Sequence, residues 1–126
     1  MNRILVAEDS LALANLLTFV LRNAGYEVEM HRNGQTAWEA LERQAYDAIL
    51  LDQQMPLKTG LEVIQAIRSA GPNQQTPVFL CTAKSHELGL VALQSRLRIE
   101  HVFHKPFSPK ELVAQLRAYP TPEMAH

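Results

Sequence analysis

At 126 residues the chain has room for one domain with a proper core and little else. Apolar residues make up 47% and charged residues 20%, the profile of a globular protein, and a formal net charge of -1 excludes a domain that binds nucleic acid by neutralising many phosphates. No apolar run approaches the roughly 18 residues of a membrane span, a strand-like run begins too early for a signal peptide, and the single Cys81 allows no internal disulfide, so a cytoplasmic location is the expectation.

Ile4 to Ala7 is an unbroken apolar run, read as a first strand, and it ends in Glu8-Asp9. Ser10 is placed to cap the next helix, whose stripe is Leu13, Leu16, Leu17, Val20 and Leu21 and whose end is Gly25. Tyr26 to Met30 alternates, as a half-covered or edge strand does. After Asn33-Gly34, the residues Ala37, Ala40, Leu41 and Gln44 give a second helix with a thin face, and Trp38 lies off it, as a rim residue or a partner contact. Ala48 to Leu51 then runs straight into Asp52, and Pro56 and Gly60 break the line, which predicts a strand covered on both faces.

Leu61, Ile64, Ile67 and Arg68 mark a third helix that stops at Gly71-Pro72. Asn73 to Pro77 reads as a polar loop, and Pro77 to Cys81 as a fourth strand that buries its cysteine. Ser85 to Leu97 is helical in period, but Leu88, Leu90, Val91, Leu93 and Leu97 cannot share one narrow stripe; the helix is either deeply buried or apolar on part of its outer face. His101 to His104 is a short fifth strand. Ser108-Pro109-Lys110-Glu111 is a strong helix start, and Leu112, Val113 and Leu116 carry that helix inward. The domain is expected over 1–119, with 120–126 as a tail or the start of a linker.

Strand and helix alternate throughout with short connections. Right-handed crossovers then give an α/β fold with one parallel sheet and helices on both faces, the first, third and fourth strands innermost. In such a sheet the strand ends deliver Glu8, Asp9, Asp52, Thr82 and Lys105 to one edge. Taken alone, Asp52 is as readily a turn opener or a helix cap. Taken together, three carboxylates repel unless a cation sits among them, and hard oxygen donors suit Mg²⁺. A carboxylate is also a nucleophile toward phosphorus, and its product needs a metal, a lysine and a hydroxyl to neutralise it. On the residues alone, caps with an ordinary Lys-Asp pair remain an alternative.

Four segments carry a resemblance over essentially the whole length: Ile4-Leu5-Val6-Ala7-Glu8-Asp9, Asp52-x-x-Met55-Pro56-x-x-x-Gly60, Pro77-Val78-Phe79-Leu80-Cys81-Thr82-Ala83-Lys84 and Lys105-Pro106-Phe107. In this order and spacing the chain resembles the receiver domain of two-component response regulators. The resemblance implies a flavodoxin-like (βα)5 three-layer sandwich of strand order 2-1-3-4-5. It implies that Asp52 takes a phosphoryl group from a histidine of a sensor kinase or phosphotransfer protein. It further implies Mg²⁺ bound by Asp9, Asp52 and the backbone carbonyl of Gln54, with Glu8 acting through water, Thr82 meeting the phosphoryl group, Lys105 pairing with it, and a cis Lys105-Pro106 bond.

Two positions depart from the family pattern. Val102 stands where receivers commonly carry Tyr, Phe or His, so an aromatic switch is weakened or replaced; Phe103 should face the other side of the strand. Arg96-Leu97-Arg98-Ile99-Glu100 replaces the usual small Gly-Ala pair, near the face of the fourth helix, fifth strand and fifth helix where family members often dimerise or dock an output partner. Gln54 and Lys84 should flank the entrance to the phosphoryl group. The competing readings are a non-phosphorylated binding module with the same fold and a small flavoenzyme; the latter lacks a phosphate-binding loop after the first strand. His31, His86, His101 and His104 are too scattered for a transition-metal site.

Overall fold

The computed structural model describes residues 2–83 and 89–118. Its elements alternate in chain order: β1 (Arg3–Ala7), α1 (Leu11–Asn23), β2 (Glu27–His31), α2 (Gly34–Arg43), β3 (Ala48–Asp52), α3 (Gly60–Ser69), β4 (Val78–Thr82), α4 (Leu90–Arg96), β5 (Ile99–His104) and α5 (Pro109–Ala118). The strands form one parallel sheet of order β2-β1-β3-β4-β5, as the resemblance implied. Every residue of β3 and β4 is buried, which is why their sequences are continuous apolar runs, whereas the edge strand β2 buries only Val28.

The period of two along each strand divides the core in half. Leu5, Ile49, Leu51, Val78, Leu80 and Val102 pack with residues of α2, α3 and α4, while Ile4, Val6, Leu50, Phe79, Cys81 and Phe103 pack with residues of α1 and α5. Val102 and Phe103 therefore lie on opposite faces, as expected. Each fully buried Leu, Ile or Phe on these faces contributes on the order of 1.5–3 kcal/mol.

Helix ends are closed by their own sequence. Ser10 Oγ accepts from Leu13 N–H at 3.4 Å, and Asn33 Oδ1 from Thr36 N–H at 2.9 Å. Gly25, at φ +100°, ends α1: Gly25 N–H donates to Arg22 O and Tyr26 N–H to Leu21 O, which satisfies two otherwise orphaned carbonyls. Thr59 and Glu62 cap α3 reciprocally, as the Ser/Thr-x-x-Glu pattern at these positions dictates.

Several expectations need correction. Leu16 is 44% exposed, because the covered arc of α1 runs through Ala14, Leu17 and Leu21. β2 is shifted by one residue, and β5 gains Ile99 and Glu100 by pairing with β4 through an irregularity at Val78/Phe79. The segment read as a polar loop buries Asn73 and Thr76. Leu90 in α4 and Leu97 just past its end are buried but Val91 is 83% exposed, so the surplus apolar residues include an outward-facing one. Leu88, Lys84, His86 and the 120–126 tail fall outside the described residues.

Among the described residues, Leu57 (φ 74°) and Arg98 (φ 56°) are the non-glycine residues in the left-handed region. Arg98 occupies the stretch where the family has small residues, and its guanidinium compensates by donating to Gln74 O at 2.7 Å and Gln75 Oε1 at 3.1 Å. Leu57 leaves 75% of its surface in solvent and recovers little by burial. Leu57→Gly should therefore raise stability by about 0.5–1 kcal/mol, the strain relieved less the added freedom of the unfolded chain. Arg98→Gly should gain nothing. Urea midpoints of the two variants check the contrast, and a loss of stability in Leu57→Gly would refute it.

Candidate functional site

The carboxyl ends of β1, β3, β4 and β5 meet at one edge of the sheet. β1 leads into Glu8 and Asp9, β3 ends at Asp52, β4 at Thr82, and Lys105 follows β5. Glu8, Asp52 and Thr82 are buried and Asp9 is exposed. Glu8 is held from both ends: its N–H donates to His31 O at 2.9 Å, and its Oε2 accepts from Ser10 N–H at 3.0 Å. That leaves Oε1 to accept from Lys105 Nζ at 3.0 Å, and the same ammonium lies 3.2 Å from Asp52 Oδ2.

Lys105 reaches both carboxylates because its N–H donates to Thr82 O at 2.8 Å, extending the β4–β5 pairing past the strand ends. The Lys105-Pro106 bond is cis, as the resemblance implied. Behind Asp52, Gln53 N–H donates to Cys81 O at 2.8 Å, and Gln53 Oε1 accepts from Leu61 N–H at 2.8 Å, fastening the start of α3 under the site. Gly60 is required there: a Cβ would lie 2.7 Å from both Asp52 O and Leu80 Cδ1. Gln54 N–H donates to Asp52 Oδ1 at 3.4 Å.

Of the residues singled out in the sequence, Glu8, Asp9, Asp52, Gln54, Thr82 and Lys105 thus lie at one cleft. Glu8 also accepts directly from Lys105 Nζ. Two residues were missed. Gln53 carries no motif signal beyond its place beside Asp52. Arg32, whose Nη2 donates to Asp9 O at 2.6 Å, approaches from the loop after β2 and could not be found without the tertiary fold.

Oxygen atoms of Glu8, Asp9 and Asp52 all lie within 4.8 Å of one another. Burial, and next the charge of Glu8, push the Asp52 carboxyl up to about 6, while Lys105 opposes them. Burial would lower the Lys105 ammonium, but its hydrogen bond to Glu8 and the charges of Asp52 and Glu8 outweigh that and hold it above its ordinary value. One ammonium does not neutralise three carboxylates. The donor set is hard, anionic and partly open to solvent through Asp9, which fits a small divalent cation such as Mg²⁺.

Comparison with known proteins agrees. Residues 4–117 match the response regulator receiver domain. The transcriptional regulatory protein CpxR of Escherichia coli (strain K12) is 37% identical over 118 residues, covering 94% of this chain and 49% of that protein. The structure of response regulator protein TrrA from Thermotoga maritima, in complex with Mg(2+)-BeF, is similar with 32% identity and a TM-score of 0.80, over 94% of this chain and 98% of that one. The receiver domain of sensor histidine kinase PA1611 from Pseudomonas aeruginosa PAO1, with a magnesium ion coordinated in its active site cleft, is 28% identical with a TM-score of 0.83, over 94% of this chain and 96% of that one. The chain spans about half the length of the curated relatives it matches. With five parallel strands in the order shared with these neighbours and an acidic cleft at their carboxyl ends, the chain belongs to the response regulator receiver domains of two-component signal transduction.

Proposed function

We propose that Asp52 is the phosphoacceptor and that this chain relays a phosphoryl group from a histidine donor to a change in a protein-binding surface. The observation that carries the reading is a buried carboxylate with an ammonium at 3.2 Å and two further carboxylates close by. An Asp52 oxygen forms the bond to phosphorus as the donor's N–P bond breaks. The electron pair stays on the histidine nitrogen, which takes up a proton. Lys105 balances charge on the product, and the Thr82 hydroxyl meets a phosphoryl oxygen. Glu8, Asp9, Asp52 and the Gln54 carbonyl would hold Mg²⁺, which supplies charge neutralisation at the developing phosphoryl oxygens.

The donor is a sensor histidine kinase or a histidine phosphotransfer protein, met in the cytoplasm; among the described residues no helix is long and apolar enough to cross a membrane. The test is mass measurement after treatment with acetyl phosphate. Stable uptake of one phosphoryl group, dependent on Mg²⁺ and mapping to Asp52, is expected. Uptake at another residue, or none, sinks the assignment.

The output surface is the face of α4, β5 and α5, through which a second copy or another partner binds. Val102 is buried in one core cluster with Leu80, Leu90 and Leu97, and it has no ring to swing between two pockets. Coupling therefore runs through the β4–α4 loop and helix packing, shifting a population already present. Val102→Ala should cost about 1–2 kcal/mol through lost contacts yet leave the phosphorylation-dependent change in self-association or partner binding intact. If that change disappears while the variant stays folded, residue 102 is the switch.

A further inference from the structure

The side chain of Gln54 reaches from the β3–α3 loop across the cleft to the end of β4. Its Nε2 lies 3.3 Å from Thr82 Oγ1, and its Oε1 accepts from Ala83 N–H at 3.3 Å. The amide's orientation follows from chemistry: a backbone N–H can only donate, so the oxygen faces Ala83 and the NH₂ faces the hydroxyl. The two groups so engaged are a hydroxyl and an N–H on consecutive residues. They stand at the end of the strand that pairs with β3 in the register Asp52↔Cys81. An anionic group on Asp52 needs donors of this kind.

We propose that Gln54 is an internal placeholder for the phosphoryl group. Its amide occupies Thr82 and Ala83 in the resting protein, and phosphorylation of Asp52 displaces it. The inference rests on Asp52 being the phosphoacceptor. It also gives the end of β4 a specific restraint to lose, at Ala83. Once the amide is displaced, the Thr82 hydroxyl and the Ala83 N–H are available to the phosphoryl group. Gln54 is thus a positioning residue: its side chain sets how readily Thr82 and Ala83 can turn to the phosphoryl group, while its backbone is unaffected by substitution of the side chain.

Two variants separate hydrogen bonding from bulk. Gln54→Met keeps the length of the side chain and removes the amide; Gln54→Ala removes both. With acetyl phosphate and Mg²⁺, both variants should take up the phosphoryl group roughly three- to tenfold faster than wild type, the effect of releasing two long, neutral hydrogen bonds. Without any phosphodonor, amide hydrogen exchange at Ala83, measured relative to a core amide such as Ile49, should accelerate in both. A purely structural role would not speed phosphorylation. If Gln54→Met matches wild type in exchange and uptake while Gln54→Ala is faster, bulk at the entrance is responsible and the placeholder is overturned. Unchanged behaviour of both variants beside normal uptake by wild type overturns it as well. No uptake by wild type rejects the phosphoacceptor reading itself, and the placeholder with it.

Discussion

Asp52→Asn should take up no phosphoryl group from acetyl phosphate and Mg²⁺, yet be more stable than wild type at pH 7 in the absence of the metal. The first half follows from deleting the proposed nucleophile. The second follows from electrostatics. Burial and the neighbouring Glu8 raise the Asp52 carboxyl from 3.8 to about 6. Between those values the folded protein binds more protons than the unfolded chain, so stability falls as pH rises through the window. Above it, wild type carries the full penalty of an ionised, buried carboxylate, which asparagine avoids. Lys105 keeps its bond to Glu8 at 3.0 Å and is not stranded. Allowing for screening through the open mouth of the cleft, the gain is about 1–2 kcal/mol. It should shrink as pH is lowered to about 4. Adding Mg²⁺ should reverse the order, because an ion that binds only the folded wild type stabilises it by mass action. Thermal unfolding of both proteins against pH, with and without Mg²⁺, decides the matter. Equal phosphoryl uptake by the two, or a variant less stable at pH 7 than at pH 4 relative to wild type, contradicts the account.

Asn73→Ala should be among the most damaging single changes, although it lies at the edge of the sheet opposite the cleft. Asn73 is fully buried, and every polar atom of its side chain is used. Its Nδ2 donates to Leu41 O at 2.7 Å and Gln44 O at 2.8 Å, while its Oδ1 accepts from Tyr46 N–H at 3.0 Å and Thr76 Oγ1 at 3.0 Å. One amide thereby joins the end of α2, the approach to β3 and the approach to β4. Alanine leaves carbonyls and an N–H unpaired where water has little access, and each such group costs about 1–3 kcal/mol. We expect a loss of roughly 3–4 kcal/mol, since partial relaxation recovers some of the sum. Asn73→Asp should be no better, because it loses both donors and buries a charge. Urea denaturation measures the loss, and phosphoryl uptake at low temperature should survive in the folded fraction. A change below about 1 kcal/mol would show that solvent satisfies these groups.

The convergence of these polar side chains on one edge of the sheet was legible before the fold was known. Apolar runs such as Ile4–Ala7 and Ala48–Leu51 specify buried strands by composition alone, and in a right-handed parallel sheet their ends must meet. That put Glu8, Asp9, Asp52, Thr82 and Lys105 on one edge from the spacing of strands and turns. The same local logic identified the caps at Ser10 and Ser108, since a cap is made within a few residues of itself.

What the tertiary structure decided concerns polar groups whose partners are remote in sequence. Asn73 looked like a loop residue because nothing within five positions shows that Leu41 and Gln44 will present their carbonyls to it. Arg32 reaches Asp9 across 23 positions, and Gln54 reaches Thr82 across 28. Hydrophobic burial is non-directional and repeats with the period of the element, so it leaves a readable pattern. A hydrogen bond depends on the placement of two particular atoms to a fraction of an ångström. For these pairs that placement exists only once the strands are in register.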